Sequence, residues 1–443
     1  MENRIALFGL IAGLVWATGV LSKDAAFAGL PNEGEVAVIT VPFASTLVDD
    51  GTRDDEVLYG MTAEVKPEQD GDELRELKMS YGYTWVENKN FQVVSKDVAK
   101  RWCSSVTHQV IAPFADVLPK AETDSYPPLI TLPRGAYIIV GEPAPEDDRW
   151  LSVELFGGKK GWVNRELVRK IRVWNENGEE ETRANLAADA QRYLGTSYRW
   201  GGKTAVGLDC SGLTHMVYSL NGLEIYRNSR PKDGFPIALK YVPGVQSEDV
   251  YTRETLSSVK AGDLIYWSGH VALYLGDGKY IHSNGKSFGT VINSLLPDDP
   301  DYREDLAKPS TIYTWGTAFP DNPDKLIIRD FYALPFTSDD GRIGYRFYVR
   351  ADGYAPTRVV LYPEGKDGPF IEINAPRRML YDSLVSEHKD VPVYFYSKPG
   401  EYRPAVLLVN DSGYRPSGET ISSDIFEMRE PIRQGAFIPP CRE

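Results

Sequence analysis

Apolar and polar residues alternate in short runs through the first third of the chain, and Gly, Pro and Asp separate the runs. Runs of this kind predict β-strands that bury one face of a sheet. Two stretches, 37–86 and 109–163, repeat a similar order of runs and turns. The repetition predicts two small antiparallel β-barrels, which we place at residues 35–100 and 105–172.

A helical period replaces this alternation at Cys210, which follows a short extended segment. Apolar residues then recur at Leu213, Met216, Val217 and Leu220. The i, i+3, i+4, i+7 spacing predicts a half-buried helix, which Asp209 can cap and which Asn221 and Gly222 end. Five residues after Cys210, His215 lies about 140° around the helix axis, so we expect it at the surface.

An earlier helix is predicted over residues 181–194, just before Gly195. Its apolar positions form one face, made of Leu186, Ala190, Tyr193 and Leu194. We expect this face to pack against the helix that begins at Cys210.

Residues 262–283 predict a β-hairpin, because two apolar, aromatic-rich runs flank the turn sequence Gly-Asp-Gly at 276–278. A two-residue loop would place His270 and His282 on opposite faces of the ribbon. A three-residue loop, with a glycine in the left-handed conformation, would make them diagonal neighbours on one face, roughly 7–8 Å apart. A function that needs both histidines therefore predicts the three-residue loop.

Beyond residue 322, β-rich runs recur at intervals marked by turn residues, up to about residue 409. This pattern predicts a β-sandwich-like domain over 322–443. No catalytic chemistry is recognisable in this region, so we expect it to serve in binding or packing.

Composition and charge restrict the possible partners. The chain of 443 residues is long enough for about three domains, and a hydrophobic fraction of 42% is sufficient for separate cores. The formal net charge is −14, and Lys and Arg are scattered without a basic run. We therefore expect no nucleic-acid partner, and we expect a monomer.

An apolar run over residues 5–21 stands before the small-x-small sequence at 26–28. This order is typical of a signal peptide, placed here at 1–28, and predicts a secreted or periplasmic protein that meets the membrane only through its export signal. An uncleaved membrane anchor is the alternative, since the run is long for a signal peptide. No cysteine follows the run, so a lipoprotein anchor is not supported. After export, Cys103 and Cys441 could pair while the third cysteine stays reduced.

That third cysteine, Cys210, stands where a nucleophile is needed, at the start of a helix. The helix dipole and the unpaired backbone N–H groups there favour a thiolate and can hold an oxyanion. With His270 as the base and His282 to fix its tautomer, Cys210 would complete a catalytic triad that needs no metal or other cofactor. Two alternatives stay open: Cys210 is a small buried hydrophobe, or one cysteine and two histidines bind zinc.

Four ordered blocks between about residues 183 and 300 resemble the NlpC/P60 family, bacterial cell-wall cysteine peptidases with a papain-like core. The blocks are Tyr198-Arg199-Trp200-Gly201-Gly202, Leu208-Asp209-Cys210-Ser211-Gly212-Leu213, Ala261-Gly262-Asp263-Leu264-Ile265-Tyr266-Trp267 and His270-Val271-Ala272-Leu273-Tyr274-Leu275-Gly276. The resemblance implies an α+β papain-like catalytic domain over 180–320. It further implies Cys210 as the nucleophile, His270 as the base and His282 as the third member of the triad.

The resemblance also implies a reaction, the hydrolysis of peptidoglycan stem peptides, commonly at the bond between γ-D-glutamate and a diamino acid. The two predicted barrels resemble the bacterial SH3-like domains that often precede this peptidase domain. In relatives with two of them, the first narrows the active site, and Tyr81 and Tyr83 are candidates to reach into the cleft. For each tyrosine, packing on its own barrel is the alternative. For the whole protein, the alternatives are an inactive peptidoglycan-binding protein and an acyltransferase or amidase on the same scaffold.

One position bears on specificity. Relatives that demand a free N-terminal L-alanine tend to place an acidic residue after the cysteine helix, where this chain has Asn228. An unpaired buried ammonium group is costly, so Asn228 weakens the case for amine recognition, although Asp209 could supply a carboxylate. The candidate substrate-binding residues are completed by four others, Tyr198, Trp200, Ser211 and Arg227.

Overall fold

The computed structural model describes residues 36–66, 73–232, 235–242, 250–312 and 314–321, and only strand segments between 325 and 427. The predicted signal peptide and Cys441 lie outside the described residues. Within the described segments, no helix is both long and apolar enough to cross a membrane.

The first β-rich region is one antiparallel sheet with the strand order β3-β2-β6-β5-β4-β1-β7. Its strands are β1 (Val36–Ile39), β2 (Phe43–Leu47), β3 (Arg53–Leu58), β4 (Thr62–Val65), β5 (Leu74–Met79), β6 (Gly82–Glu87) and β7 (Phe91–Val94). Helix α1 (Lys96–Ser105) follows, capped by Ser95, and buries one face against the sheet. Because β3 is an edge strand, one of its sides is free to meet another part of the chain.

The second β-rich region forms a five-stranded sheet, β13-β12-β11-β8-β14, and a two-stranded ribbon, β10-β9. Its strands are β8 (His108–Val110), β9 (Phe114–Val117), β10 (Ile130–Pro133), β11 (Tyr137–Ala144), β12 (Asp147–Glu154), β13 (Lys160–Asn164) and β14 (Val168–Lys170). The predicted β-rich character of the N-terminal third is confirmed. Cys103 on α1 is disulfide-bonded, and its pairing with Cys441 stays a prediction.

The two β-rich regions share one hydrophobic core. Trp102 lies at its centre, fully buried, and its indole N–H donates to the carbonyl of Gly60 at 2.8 Å. Tyr59 completes the junction, because its hydroxyl accepts from the backbone N–H of Phe156 at 2.7 Å. Continuous packing of this kind holds the two sheets as one unit.

The catalytic region is a six-stranded antiparallel sheet, β17-β22-β18-β19-β20-β21, flanked by helices. Its elements are α2 (Glu179–Gln191), β15 (Lys203–Thr204), β16 (Gly207–Leu208), α3 (Cys210–Ser219), β17 (Ala238–Lys240), β18 (Leu264–Trp267), β19 (His270–Gly276), β20 (Lys279–Asn284), β21 (Gly289–Ser294), α4 (Glu304–Ala307) and β22 (Thr314–Thr317). Mixed α and β content is therefore confirmed for this region.

Helix α2 packs against α3 as predicted, with Leu186, Ala190 and Tyr193 fully buried in the core that also holds α3. The prediction for Leu194 is wrong, since 46% of its surface is exposed. The reason is that the helix ends at Gln191, and a turn over the next residues carries Leu194 outwards.

Helix α3 begins at Cys210, and Asp209 caps it by accepting from the N–H of Gly212 at 2.6 Å, both as predicted. The expectation of a half-buried helix with His215 at the surface is wrong. Every residue from Cys210 to Tyr218 is buried, and His215 is only 5% exposed, with its Nδ1 3.0 Å from the carbonyl oxygen of Ile225. Periodicity could not reveal this, because the charged residues that surround His215 come from β3 and other distant parts of the chain.

Beyond residue 321, the described segments contain nine strands, which form two sheets, β27-β24-β23-β31 and β26-β25-β28-β29-β30. They are β23 (Lys325–Thr337), β24 (Ile343–Asp352), β25 (Val359–Pro363), β26 (Ile371–Ile373), β27 (Leu380–Leu384), β28 (Val391–Ser397), β29 (Ala405–Asn410), β30 (Gly413–Arg415) and β31 (Phe426–Glu427). The β-rich prediction holds here, and the sandwich-like packing of the two sheets stays a prediction.

Candidate active site

The candidate nucleophile Cys210 is the first residue of α3 and is 7% exposed. The helix starts close to the preceding loop, since a Cβ on Gly212 would lie only 2.1 Å from the carbonyl oxygen of Gly202. A larger residue at 212 would push the first turn away from this loop. The local sequence therefore fixes where the thiol sits.

The thiol is held in its neutral form. Burial raises the pKa of Cys210 to about 12, and the negative charge of Asp209 adds to this effect. Backbone hydrogen bonds from Val271 and Ser211, together with the charge of Arg227, oppose the rise only in part. Burial and the neighbouring carboxylate therefore oppose the thiolate that the start of the helix was expected to favour.

The hairpin that carries the two histidines combines features of both predicted loops. Leu273 pairs with Ile281, which is the register of the three-residue loop, but a bulge follows and Gly276 pairs with Lys279 across a two-residue turn. In that turn Asp277 has φ 51° and the next residue, a glycine, has φ 81°. The predicted register at the histidines is thus confirmed, whereas the predicted loop length is wrong, because the extra residue sits in a bulge.

The register brings the two imidazole rings together. His270 Nε2 lies 2.7 Å from His282 Nδ1, so a hydrogen bond joins the rings. The amide of Val271, next to His270, acts on the Cys210 thiol, which places the thiol beside the start of β19. The structure therefore brings Cys210, His270 and His282 into one site.

Both imidazoles are neutral at neutral pH. Burial is the main cause and lowers the pKa of His270 to about 3, and repulsion from a protonated His282 and then from Arg303 acts in the same direction. Burial also lowers the pKa of His282 to about 4, although a hydrogen bond with Asn293 opposes the change. The free site thus holds a thiol and two uncharged rings, and the thiol proton must move when the sulfur attacks.

Among the described residues, His, Cys, Asp and Glu side chains form no group of three or more that could hold a metal ion.

Two of the predicted aromatic residues lie on the loop before Cys210. Tyr198 is half-buried, and burial raises its pKa, with Cys210 and then Asp209 acting in the same direction. Trp200 is 61% exposed, and its carbonyl accepts from Arg53 Nε at 2.7 Å. Tyr198 therefore belongs to the thiol's surroundings, and Trp200 lies at the surface, next to the β3 edge.

A buried charge cluster joins β3 to the catalytic region beside the thiol. We call it the Asp55 cluster, made of Asp55, Lys203, Arg227 and Asp209. Asp55 accepts from Lys203 Nζ at 2.9 Å and from Arg227 Nε at 2.5 Å, and Arg227 Nη1 also donates to Asp209 Oδ1 at 3.1 Å. Asp55 and Lys203 are completely buried. The first β-rich region therefore contacts the residue next to the nucleophile through paired charges.

The sequence predictions omitted Asp55 and Lys203. A signal was present, because three consecutive acidic residues, 54–56, stand directly before apolar residues in a region predicted to be β-rich. Charged side chains in such a strand are seldom fully buried without partners. The partner of Asp55 lies 148 residues further along the chain, so the pairing itself has no local signal.

The predicted tyrosines behave differently from each other. Tyr81 is half-buried and donates its hydroxyl to Asp55 at 2.5 Å, which ties it to the Asp55 cluster. Burial and the charge of Asp55 raise the pKa of Tyr81 well above its usual value. Tyr83 is 54% exposed and packs under Lys66 on its own sheet. Only Tyr81 approaches the site.

Two other predicted substrate-binding residues, Ser211 and Asn228, lie in different surroundings. Ser211 is buried in the Asp55 cluster, where its hydroxyl accepts from Arg227 Nη1 at 2.8 Å and donates to Asp209 at 3.1 Å. Asn228 is exposed, and its Oδ1 accepts from the N–H of the following residue, Ser229, at 2.8 Å. Asn228 therefore takes no part in the buried site.

Comparison with known proteins agrees with this site. Residues 195–298 match the profile of the NlpC/P60 family. Dipeptidyl-peptidase 6 of Lysinibacillus sphaericus is 33% identical over 266 residues, which cover 60% of this chain and 92% of that protein. The γ-D-glutamyl-L-lysine dipeptidyl-peptidase of Bacillus cereus is 30% identical over 170 residues, or 37% of this chain and 46% of that protein.

Among solved structures, an NlpC/P60 family protein from Bacillus cereus aligns over 64% of this chain and 100% of its own, with 18% identity and a TM-score of 0.46. The conclusion rests on the family profile and on the nearly full-length match to the Lysinibacillus sphaericus enzyme. The chain belongs to the NlpC/P60 family of cysteine peptidases.

Proposed function

We propose that this protein is a cysteine endopeptidase that hydrolyses peptidoglycan stem peptides at the γ-D-glutamyl–diamino acid bond. The observation that carries the proposal is a buried thiol at the start of α3, beside two imidazoles joined by a 2.7 Å hydrogen bond. The family match and the names of the relatives, dipeptidyl-peptidase and γ-D-glutamyl-L-lysine dipeptidyl-peptidase, support the reaction type. We further propose that the enzyme is secreted or periplasmic and acts as a monomer.

The proposed domain arrangement follows the predicted boundaries. Two SH3-like barrels at 35–100 and 105–172 precede the papain-like domain at 180–320, and a sandwich-like domain occupies 322–443. The shared core of the two N-terminal sheets and the Asp55 cluster support a fixed position of the first barrel against the catalytic domain. A first barrel fixed on one side of the active-site cleft would restrict the substrates to the ends of short peptides.

The chemical steps follow from the neutral state of the site. As the Cys210 sulfur attacks the amide carbonyl, its proton passes to His270, which becomes an imidazolium supported by His282. The N–H groups at the start of α3 stabilise the oxyanion. His270 then protonates the leaving amine, and in the second half it takes a proton from the water that releases the acyl group.

We also propose that the enzyme recognises a free amine of its substrate, and that the carboxylate of Asp54 pairs with this amine. Asp209 is already engaged, because it accepts from Gly201 N–H at 2.8 Å, from Gly212, from Ser211 and from Arg227. Asp54 is half-buried beside Gly201, and within the described part of the chain no donor reaches its carboxylate. Burial and the charge of Asp55 raise the pKa of Asp54, which an ammonium group would offset.

The function is tested with L-Ala-γ-D-Glu-diamino acid peptides, free and N-acetylated, followed by mass spectrometry. We expect the free peptide to release L-Ala-γ-D-Glu. The N-acetylated peptide should react at least about tenfold more slowly, because acetylation removes a charge that the site pairs. Failure to cleave either peptide would contradict the proposed bond, and equal rates would contradict amine recognition alone.

Replacing Asp54 by Asn should lower kcat/KM for the free peptide by about 10–100-fold, mainly through KM, because the ammonium group loses its ion partner. Cleavage of the N-acetylated peptide should not fall. The matched control is Asp50→Asn, which changes an exposed turn residue before the same strand. Steady-state kinetics on both peptides measure the effect, and equal losses on the two peptides would remove Asp54 from amine recognition.

A further inference from the structure

His282 has hydrogen-bond partners at both ring nitrogens. Its Nδ1 lies 2.7 Å from His270 Nε2, and its Nε2 lies 3.0 Å from the side-chain Oδ1 of Asn293. Asn293 is on β21, where Val291 pairs directly with His282, so Asn293 is its diagonal neighbour on the adjacent strand. The contact is therefore built into the register of the sheet.

The orientation of the Asn293 amide is fixed from its other side. Its Nδ2 donates to the backbone carbonyl of Asp301 at 3.3 Å, which turns Oδ1 towards His282. Since Oδ1 can only accept, His282 must carry its proton on Nε2 to complete this bond. Its Nδ1 then has a free lone pair and accepts a hydrogen bond from the His270 Nε2–H group.

This assignment decides what His270 can do. When its proton lies on Nε2, the remaining ring nitrogen, Nδ1, has a lone pair and can take the Cys210 proton. After that transfer, the His270 imidazolium donates from Nε2 to the same His282 lone pair, so one tautomer serves before and after the step. The opposite tautomer of His282 would place the His270 proton on Nδ1 and leave no base for the thiol.

A second amide favours that opposite tautomer. Asn284 Nδ2 lies 3.2 Å from His282 Nε2, and the Asn284 amide is fixed in this sense because its Oδ1 accepts from Ser287 N–H at 2.8 Å. A donor at this place would favour an unprotonated Nε2. The shorter contact, at 3.0 Å, belongs to Asn293, which favours the tautomer with the proton on Nε2.

We propose that Asn293 is a positioning residue, whose Oδ1 selects the His282 tautomer that makes His270 a base towards Cys210. The inference rests on the proposed function, and it adds a fourth residue that the predicted triad did not contain. Other charged groups near the rings are Arg303, which lowers the pKa of both histidines, and Asp305, which raises that of His282. Asp305 holds Arg303 through two contacts of 2.9 Å, so this pair changes little when residue 293 is replaced.

Replacing Asn293 by Leu removes the hydrogen-bond acceptor and keeps a side chain of similar size. We expect kcat to fall by at least about tenfold, and by less than the roughly 10⁴-fold that a wrong tautomer costs in a Ser-His-Asp triad. KM should stay within about threefold, because Asn293 is not among the groups proposed to hold the substrate. Asn293→Asp restores an acceptor, so it should recover most of the lost kcat. A carboxylate also favours the imidazolium, so the acidic limb of the kcat/KM profile should move to higher pH.

Imidazole ¹⁵N spectra read the tautomer without any substrate. The chain has only five histidines, so the signals of His270 and His282 can be assigned with His→Gln variants. We expect protonated Nε2 for His282 in the wild type, a shift towards protonated Nδ1 in Asn293→Leu, and the reverse shift in Asn284→Leu. An unchanged tautomer in Asn293→Leu would overturn the proposal, even if no peptide is cleaved. An Asn293→Asp variant that folds normally but is no more active than Asn293→Leu would also overturn it.

Discussion

Replacing Cys210 by Ala is expected to lower kcat for the free L-Ala-γ-D-Glu-diamino acid peptide by on the order of 10⁴-fold or more. The acyl intermediate cannot form without the sulfur, so the two-step path through a covalent acyl-enzyme is lost. Cys210→Ser should retain only a trace of activity, because a hydroxyl is a weaker nucleophile than a thiol. Single-turnover kinetics, with products followed by mass spectrometry, measure both variants.

The binding of the uncleaved peptide provides the control for this variant. The groups proposed to hold the substrate amine stay in place when Cys210 becomes Ala, so the affinity of Cys210→Ala for the free peptide should be retained. Calorimetric titration measures it. Hydrolysis at the wild-type rate in Cys210→Ala would remove Cys210 as the nucleophile, whatever the affinity.

Replacing Asp55 by Asn is expected to lower the free energy of unfolding by about 3 kcal/mol or more, which is typical when one partner of a buried ion pair is removed. Lys203 and Arg227 would remain buried with one negative charge fewer. Burial by itself works to raise the pKa of Asp55, but the charges of Arg227 and Lys203 prevail and hold it well below its usual range. The stability that this carboxylate contributes is present above its unfolded pKa of about 3.9 and is lost as the pH falls further.

An exposed pair in the same sheet provides the matched control for Asp55→Asn. Glu64 on β4 lies 3.0 Å from Lys78, and both side chains are more than half exposed. Glu64→Gln should change stability by less than about 1 kcal/mol, because solvent screens such a pair. Denaturant unfolding at pH 7 and pH 3 compares the two variants with the wild type. Equal small losses for both variants would mean that the Asp55 cluster does not stabilise the contact between β3 and the catalytic region.

Local sequence was sufficient where one element determines the outcome. The start of α3 at Cys210 follows from the cap at Asp209 and the helical spacing after it, and the face of α2 follows from its period. The register that unites His270 with His282 was predicted through the chemistry that both must serve. The sequence did not reveal the bulge that produces this register, because glycines at 276 and 278 permit either loop.

The failed or absent predictions concern residues whose surroundings come from distant parts of the chain. The helical position of His215 alone suggests the surface. His215 is nevertheless buried, because elements other than α3, including β3, surround it. Burial raises the pKa of Cys210, and the core that buries it is built from separate parts of the chain. Asn293 acquires its contact from a third strand, and nothing in the two histidine runs points to it.

The neutral thiol has a consequence for the lifetime of the enzyme. Peroxides and disulfides react with thiolates, and thiols are largely inert towards them. In this chain Cys103 is disulfide-bonded while Cys210 is free. Because burial raises the pKa of the Cys210 thiol, we expect the nucleophile to resist oxidation under conditions in which Cys103 forms its disulfide.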